Sequence, residues 1–186
     1  MDRTESMKKM TFQHEIVESM REIVFGLEDS LVSTLGAITG IAVGAGSTYI
    51  VILSGLVLVA AEGMSMAAGS YLSSKSAVDA EVAFHGKTSN ERTHPIRAAV
   101  VMGVFYFIGG AVPLAPYFFL EVHSAMIPSV ILTAISLFLL GVWAAQFTKR
   151  SMWKSGFEMT SVSLAAALVG YIIGRAVASY FGVDVL

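Results

Sequence analysis

Five long apolar stretches, separated by short polar segments, dominate the pattern of the chain. They run roughly over residues 24–46, 48–74, 96–119, 124–148 and 157–181. Each is long enough to cross the hydrocarbon core of a bilayer as an α-helix, which takes about 20 residues. The pattern therefore predicts an all-α integral membrane protein, in which residues 1–186 form a single domain with five transmembrane helices.

A different periodicity precedes the first span. Between residues 11 and 23, Phe12, Ile16, Met20 and Ile23 recur at the spacing of one helix face, and charged residues occupy the other faces. We predict an amphipathic helix over 11–23 that lies on the inner membrane surface and continues into the first span.

The composition agrees with this interpretation. Only 14% of the residues are charged and 55% are hydrophobic, whereas an average soluble chain is about 25% charged. A formal net charge of −2 argues against a nucleic-acid partner, which requires a basic surface. With no cysteine in the chain, disulfides, thiolate metal sites and cysteine nucleophiles are excluded. We expect membrane lipid to surround the protein.

The basic residues predict the orientation, because Lys and Arg are retained on the cytoplasmic side of short loops. Of the 12 Lys and Arg residues, all but Arg175 precede the first span, lie in the connections after the second and fourth spans, or, in the case of Arg97, lie at the very start of the third span. The N-terminus should therefore be cytoplasmic and the C-terminus outside, with a short cytoplasmic loop over 75–95.

Acidic residues inside the apolar spans are candidate functional groups, because each costs at least about 2.5 kcal/mol near the centre of a membrane helix. Glu28 and Asp29 lie near the cytoplasmic edge of the first span, and Glu62 lies close to the midplane in the second. Met66 follows Glu62 by four residues and shares its helix face. A divalent metal moving along this face would meet oxygen and sulfur ligands, and the carboxylates would also bind protons. The alternatives are a protonated Glu62 carboxyl that is hydrogen-bonded to a neighbouring helix and, for Met66 taken alone, ordinary core packing.

Small residues form a stripe on the first span at Gly36, Gly40 and Gly44. Such a stripe lets two helix backbones approach closely, so it predicts either a helix-packing seam or a dimer seam. The fifth span repeats the pattern from Gly170 to Gly182, and the spacing alone does not decide between the two.

The segment between the second and third spans carries further possible metal ligands. It contains Asp79, Glu81, His85, Glu91 and His94. These residues form either a weak site that captures divalent cations at the cytoplasmic mouth or an ordinary solvated loop.

Enzymatic function is not expected. The chain has no HExxH helix, no GxSxG turn and no phosphate-binding glycine loop of the ATPase type. A transport process would therefore use an existing ion gradient and not ATP, and no tightly bound cofactor is expected.

Two segments resemble the vacuolar iron transporter family, which includes yeast-type iron/manganese carriers and nodulin-like relatives. They are REIVFGLEDSLVSTLGAITG in the first span and GLVLVAAEGMSMAAGSYLSSKS in the second. The resemblance implies a five-span homodimer that moves ferrous iron out of the cytosol in exchange for protons, along a path between the protomers. It also assigns metal-path roles to Asp29 and Met66.

The chain departs from the family pattern at several positions. Leu58 occupies the position of a family glutamate, and Glu62 stands one helical turn later on the same face; Ser30 replaces a glycine. Plant members of the family insert a helical, glutamate-rich metal-binding domain after the second span. The loop here is too short for that unit, so the chain resembles a short member without the cytoplasmic domain.

The leading hypothesis is a homodimeric, proton-coupled exporter of Fe²⁺, with Mn²⁺ as the next candidate. Asp29, Glu62 and Met66 would coordinate the ion, with Glu28 assisting at the mouth. Carboxylates plus a thioether suit Fe²⁺ better than Ca²⁺ or Mg²⁺. A prokaryotic plasma membrane is favoured over a vacuolar membrane. The alternatives are a non-transporting metal-sensing or scaffold module and a passive cation channel.

Overall fold

The computed structural model describes residues 3–85, 94–148 and 150–182, and these form five long helices. Their bounds are α1 Arg3–Ala45, α2 Thr48–His85, α3 Pro95–Leu114, α4 Val122–Thr148 and α5 Met152–Tyr180. All five are long and apolar enough to cross a membrane. The prediction of an all-α protein with five membrane-spanning helices is therefore confirmed.

Helices α1 and α2 are much longer than a bilayer requires. At 43 and 38 residues they measure about 65 and 57 Å, against a hydrocarbon thickness of about 30 Å. A two-residue turn joins them, and its Gly46 has a φ of 59°, which glycine adopts without strain. Because the two helices are antiparallel, their surplus lengths extend from the same side of the membrane.

The ends of these two helices differ in part from the sequence prediction. The amphipathic stretch 11–23 does continue into the first span, as part of the uninterrupted α1. The loop prediction over 75–95 is wrong for residues 75–85, which are the last turns of α2. This stretch lacks glycine and proline and is rich in alanine, so nothing in it stops the helix. Residues 86–93 lie outside the described residues.

Prolines shape the connection between α3 and α4. Pro113 lies in the last turn of α3, and a 3₁₀ turn over Ala115–Phe118 follows. The buried Ser129 hydroxyl of α4 donates a 2.7 Å hydrogen bond to the Pro113 carbonyl. This bond ties α4 to the end of α3. A core of aliphatic side chains surrounds the corner, including Ile38, Val59 and Leu114.

Helix α1 occupies the centre of the fold. It packs against α3 and α5, while α2 packs mostly against α3, and α4 against α5. Its side chains Leu35 and Ile38 are fully buried. Helix α1 therefore has one face toward α3 and another toward α5.

Glycines bring α1 and α5 into backbone contact. A Cβ atom added to Gly40 would lie 2.8 Å from the carbonyl oxygen of Gly170, and one added to Gly36 would lie 3.2 Å from the carbonyl oxygen of Ala166. A Cβ on Gly174 would overlap the carbonyl oxygen of Gly40. The two small-residue stripes thus pack against each other within one chain. Such close approach replaces side-chain packing with backbone contact in the membrane.

We predict that Gly174→Ala destabilises the protein by about 1–3 kcal/mol, because the new methyl group meets backbone atoms that cannot move aside. Thermal unfolding of the detergent-purified protein should show a lower midpoint. Gly69→Ala is the matched control, since a Cβ at Gly69 meets nothing within 4 Å. Equal midpoints for the two variants would contradict the close α1–α5 contact.

Candidate metal path

The Glu62 carboxylate of α2 is hydrogen-bonded to residues of two neighbouring helices. The Ser33 hydroxyl of α1 donates a 3.1 Å hydrogen bond to Oε2 of Glu62, and the Tyr106 hydroxyl of α3 donates to the same oxygen. The Ser33 and Tyr106 hydroxyl oxygens are themselves 3.0 Å apart. Three polar groups from three helices therefore meet inside the membrane-spanning region.

This contact fixes the relative depth of the other candidate residues. Asp29 precedes Ser33 by four residues on α1, and Met66 follows Glu62 by four residues on α2. Because α1 and α2 are antiparallel, both lie about 6 Å from the Glu62 contact in the same direction. Asp29 is close enough to Glu62 for the two carboxylates to interact electrostatically. Glu62 thus lies at one depth in the bundle, and Asp29 and Met66 lie together at a second depth about one helical turn away.

Glu28 and Asp29 line a small cleft on the surface of the helix bundle. The cleft has a volume of about 180 Å³, and its walls include Phe25 and Val32 of α1 and Val162 of α5. Both carboxylates are half-buried. The cleft places two acids beside each other at a depth where most of the surrounding side chains are apolar.

A third acid lies near this cleft. Glu158 of α5 is within electrostatic range of Glu28, and it forms a 3.0 Å ion pair with Arg150. Both side chains of the pair are well exposed, so the pair contributes at most about 1 kcal/mol to stability. Its effect at this position is to place a cationic group next to the acidic end of the cleft.

A larger apolar groove continues from the cleft along α1 and α5. It has a volume of about 790 Å³ and shares Val32 and Val162 with the cleft. Ser33 also lines the groove while it donates its hydrogen bond to Glu62. The exposed edge of the glycine stripe, Gly36, Gly40 and Gly44, forms part of the same wall. The groove therefore extends from the acidic cleft to Ser33, one of the two residues that donate to Glu62.

The candidate capture residues are distributed along the extended end of α2 and beyond it. Asp79 is exposed and Glu81 is half-buried on α2, His85 ends that helix, and His94 is exposed just before α3. Glu91 lies outside the described residues. Within residues 3–85, 94–148 and 150–182, no three His, Asp or Glu side chains form a group fit to hold a metal ion.

Sequence reasoning did not identify Tyr106 or Glu158. Tyr106 lies near the middle of the third span, where a tyrosine hydroxyl needs a buried partner because tyrosine prefers the membrane interface. A tyrosine at this depth could therefore have been predicted to hydrogen-bond to a polar group on another helix. Glu158 lies at the start of α5, where an acidic residue is ordinary, and only the packing of α5 against α1 brings it near Glu28.

Comparison with known proteins identifies sequence relatives of this chain. The sequence profile described as the VIT family matches residues 20–91 and 78–175. The chain is 27% identical to vacuolar iron transporter 1 of Eucalyptus grandis, over 87% of this chain and 88% of that protein. It is 26% identical to an uncharacterized protein of Methanocaldococcus jannaschii, over 84% of this chain and 88% of that protein.

The lengths of the two alignments show that this chain is shorter than the Eucalyptus relative within the aligned region. The Eucalyptus alignment extends over 218 positions, more than the 186 residues present here, so that relative has additional residues between the matched ones. The alignment with the Methanocaldococcus protein extends over only 170 residues. The two profile matches overlap at 78–91, a segment that begins in the last turns of α2 and ends before α3. With the profile covering most of its length, this five-helix integral membrane protein belongs to the VIT family.

Proposed function

We propose that the protein exports a divalent metal ion from the cytosol in exchange for protons, as a homodimer, with Fe²⁺ as the preferred substrate and Mn²⁺ next. The observation that carries the proposal is the succession of polar groups along α1: Glu28 and Asp29 line the cleft, and Ser33, one turn further on, borders the groove and is hydrogen-bonded to Glu62. Relatives named vacuolar iron transporter support metal transport in general.

The chemistry of these groups favours a transition metal. Asp29 and Glu62 offer carboxylate oxygens, and Met66 offers a thioether sulfur at the level of Asp29. Ca²⁺ and Mg²⁺ prefer oxygen ligands alone, whereas a thioether is a soft ligand. Fe²⁺ binds both kinds, which is why we place it ahead of Mn²⁺.

The openness of the cleft supports a dimer. Glu28 and Asp29 lie beside an apolar groove on the outside of the bundle, where a single chain would bring carboxylates next to lipid. A charge exposed to hydrocarbon is unfavourable because it loses its water without gaining another partner. A second copy seated along α1 covers both the groove and the acids, and it places two sets of ligands opposite each other.

Proton coupling is assigned to the same carboxylates. A carboxylate that binds the metal must be ionised, and protonation from the acidic side of the membrane competes with the ion and releases it. The Glu62 side chain replaces the family acid that is absent at Leu58, one turn away along the same face of α2. The proposed membrane is a prokaryotic plasma membrane, and the Methanocaldococcus relative of similar length supports this assignment.

We predict that Glu62→Gln and Asp29→Asn each abolish proton-driven Fe²⁺ flux in proteoliposomes under anaerobic conditions, because an amide neither carries charge nor exchanges a proton. Glu121→Gln is the control for an acid-to-amide change, since Glu121 is exposed in the α3–α4 connection. Size-exclusion chromatography should show the same assembly for all variants.

Other outcomes of this flux assay distinguish the alternative functions. Wild-type flux that follows the metal gradient and ignores an imposed pH gradient would identify a passive channel. Metal binding without flux that survives loss of Asp29 and Glu62, and disappears when Asp79 and Glu81 are replaced, would identify a metal-sensing or scaffold module. Unchanged flux in Glu62→Gln would remove Glu62 from the mechanism.

The dimer is tested separately by cross-linking, which the absence of cysteine makes unambiguous. We predict that Ala37→Cys, in the wall of the groove, forms a disulfide-linked dimer in native membranes on mild oxidation. Ile108→Cys on the exposed face of α3 should remain monomeric on a denaturing gel. Equal cross-linking at both positions would contradict a dimer along α1.

A further inference from the structure

Both hydrogen bonds to the Glu62 carboxylate fall on one of its two oxygens. Ser33 and Tyr106 donate to Oε2, and Oε1 has no hydrogen-bond partner among the described residues. The two donors come from different helices, α1 and α3. The carboxylate is therefore held through Oε2, while Oε1 can coordinate an ion.

Tyr106, one of the two donors, has little freedom to move away. Tyr106 is completely buried, and its ring packs near Gly63 on α2, where an added Cβ would lie 3.3 Å from the ring. Ser33 is half-buried in the membrane-spanning part of α1 and borders the groove. Turning the Glu62 carboxylate so that both oxygens face one ion would break two hydrogen bonds to a charged group, each stronger than a neutral one.

We propose, on the basis of the proposed function, that Tyr106 and Ser33 are positioning residues that restrict Glu62 to a single coordinating oxygen and thereby disfavour Ca²⁺. Neither residue touches the ion in this role. Ca²⁺ takes six to eight oxygen ligands and commonly uses both oxygens of a carboxylate to reach that number. Smaller divalent ions need fewer ligands, so a one-oxygen carboxylate costs them less.

The test uses Mn²⁺ as a probe, because its electron paramagnetic resonance signal reports binding without any need for transport. The full-length protein in detergent is loaded with Mn²⁺ and titrated with Ca²⁺. In the double variant Tyr106→Phe and Ser33→Ala, Oε2 is free, and we expect half-displacement of Mn²⁺ at about tenfold less Ca²⁺ than in the wild type. Tenfold corresponds to about 1.4 kcal/mol, the magnitude of about one lost hydrogen bond.

Two control variants remove buried hydroxyl groups of the same residue types elsewhere in the chain. The hydroxyl oxygens of Tyr117 and Ser163 are buried without hydrogen-bond partners, so Tyr117→Phe and Ser163→Ala should leave the Ca²⁺ titration unchanged. Ser33→Thr keeps the donor and, in combination with the native Tyr106, should keep the wild-type titration. Agreement of all three with the wild type supports a specific effect at Glu62.

The outcomes separate this inference from the function on which it rests. An unchanged Ca²⁺ titration in the double variant overturns the inference while leaving the transporter in place. Loss of Mn²⁺ binding in a double variant of normal assembly also overturns it, because a positioning residue is not a ligand. A wild type that neither binds Mn²⁺ nor transports Fe²⁺ overturns the proposed function itself.

Discussion

A carboxylate in the interior of a membrane protein must be hydrogen-bonded, because hydrocarbon offers it no other partner. Glu62 meets this requirement with donors from α1 and α3. One side chain thereby sets the relative depth of three helices, and the positions of Asp29 and Met66 follow from that depth by helical geometry. The arrangement of the proposed metal path depends on this contact more than on any pair of aliphatic side chains in the core.

The glycine contact between α1 and α5 has a complementary role. Backbone approach at Gly40 and Gly174 holds α5 against α1 without large side chains, and this leaves the open groove beside them. The same proximity brings Glu158 near Glu28. Thus the polar contact fixes α1 against α2 and α3, and the glycine contact fixes α1 against α5.

Much of the fold was predictable from the sequence, because the length and apolarity of a span depend on local composition. The five helices and the shared face of Glu62 and Met66 required only periodicity. The extension of α2 to His85 does not follow from apolarity, because charged residues end an apolar pattern without ending a helix. Tyr106 and Glu158 were missed because their roles depend on which helices pack together. The partner of the glycine stripe was likewise a question of tertiary contact.

The crowding around α1 bears on how a protein of this kind can change its substrate during evolution. One side of α1 is committed to α5, another to α3, and the remainder borders the groove, so most substitutions there disturb two properties at once. Helix α2 is less constrained, since much of its surface faces outward. Replacements that alter the substrate should therefore be tolerated first on α2, while α1 serves as the fixed frame of the bundle.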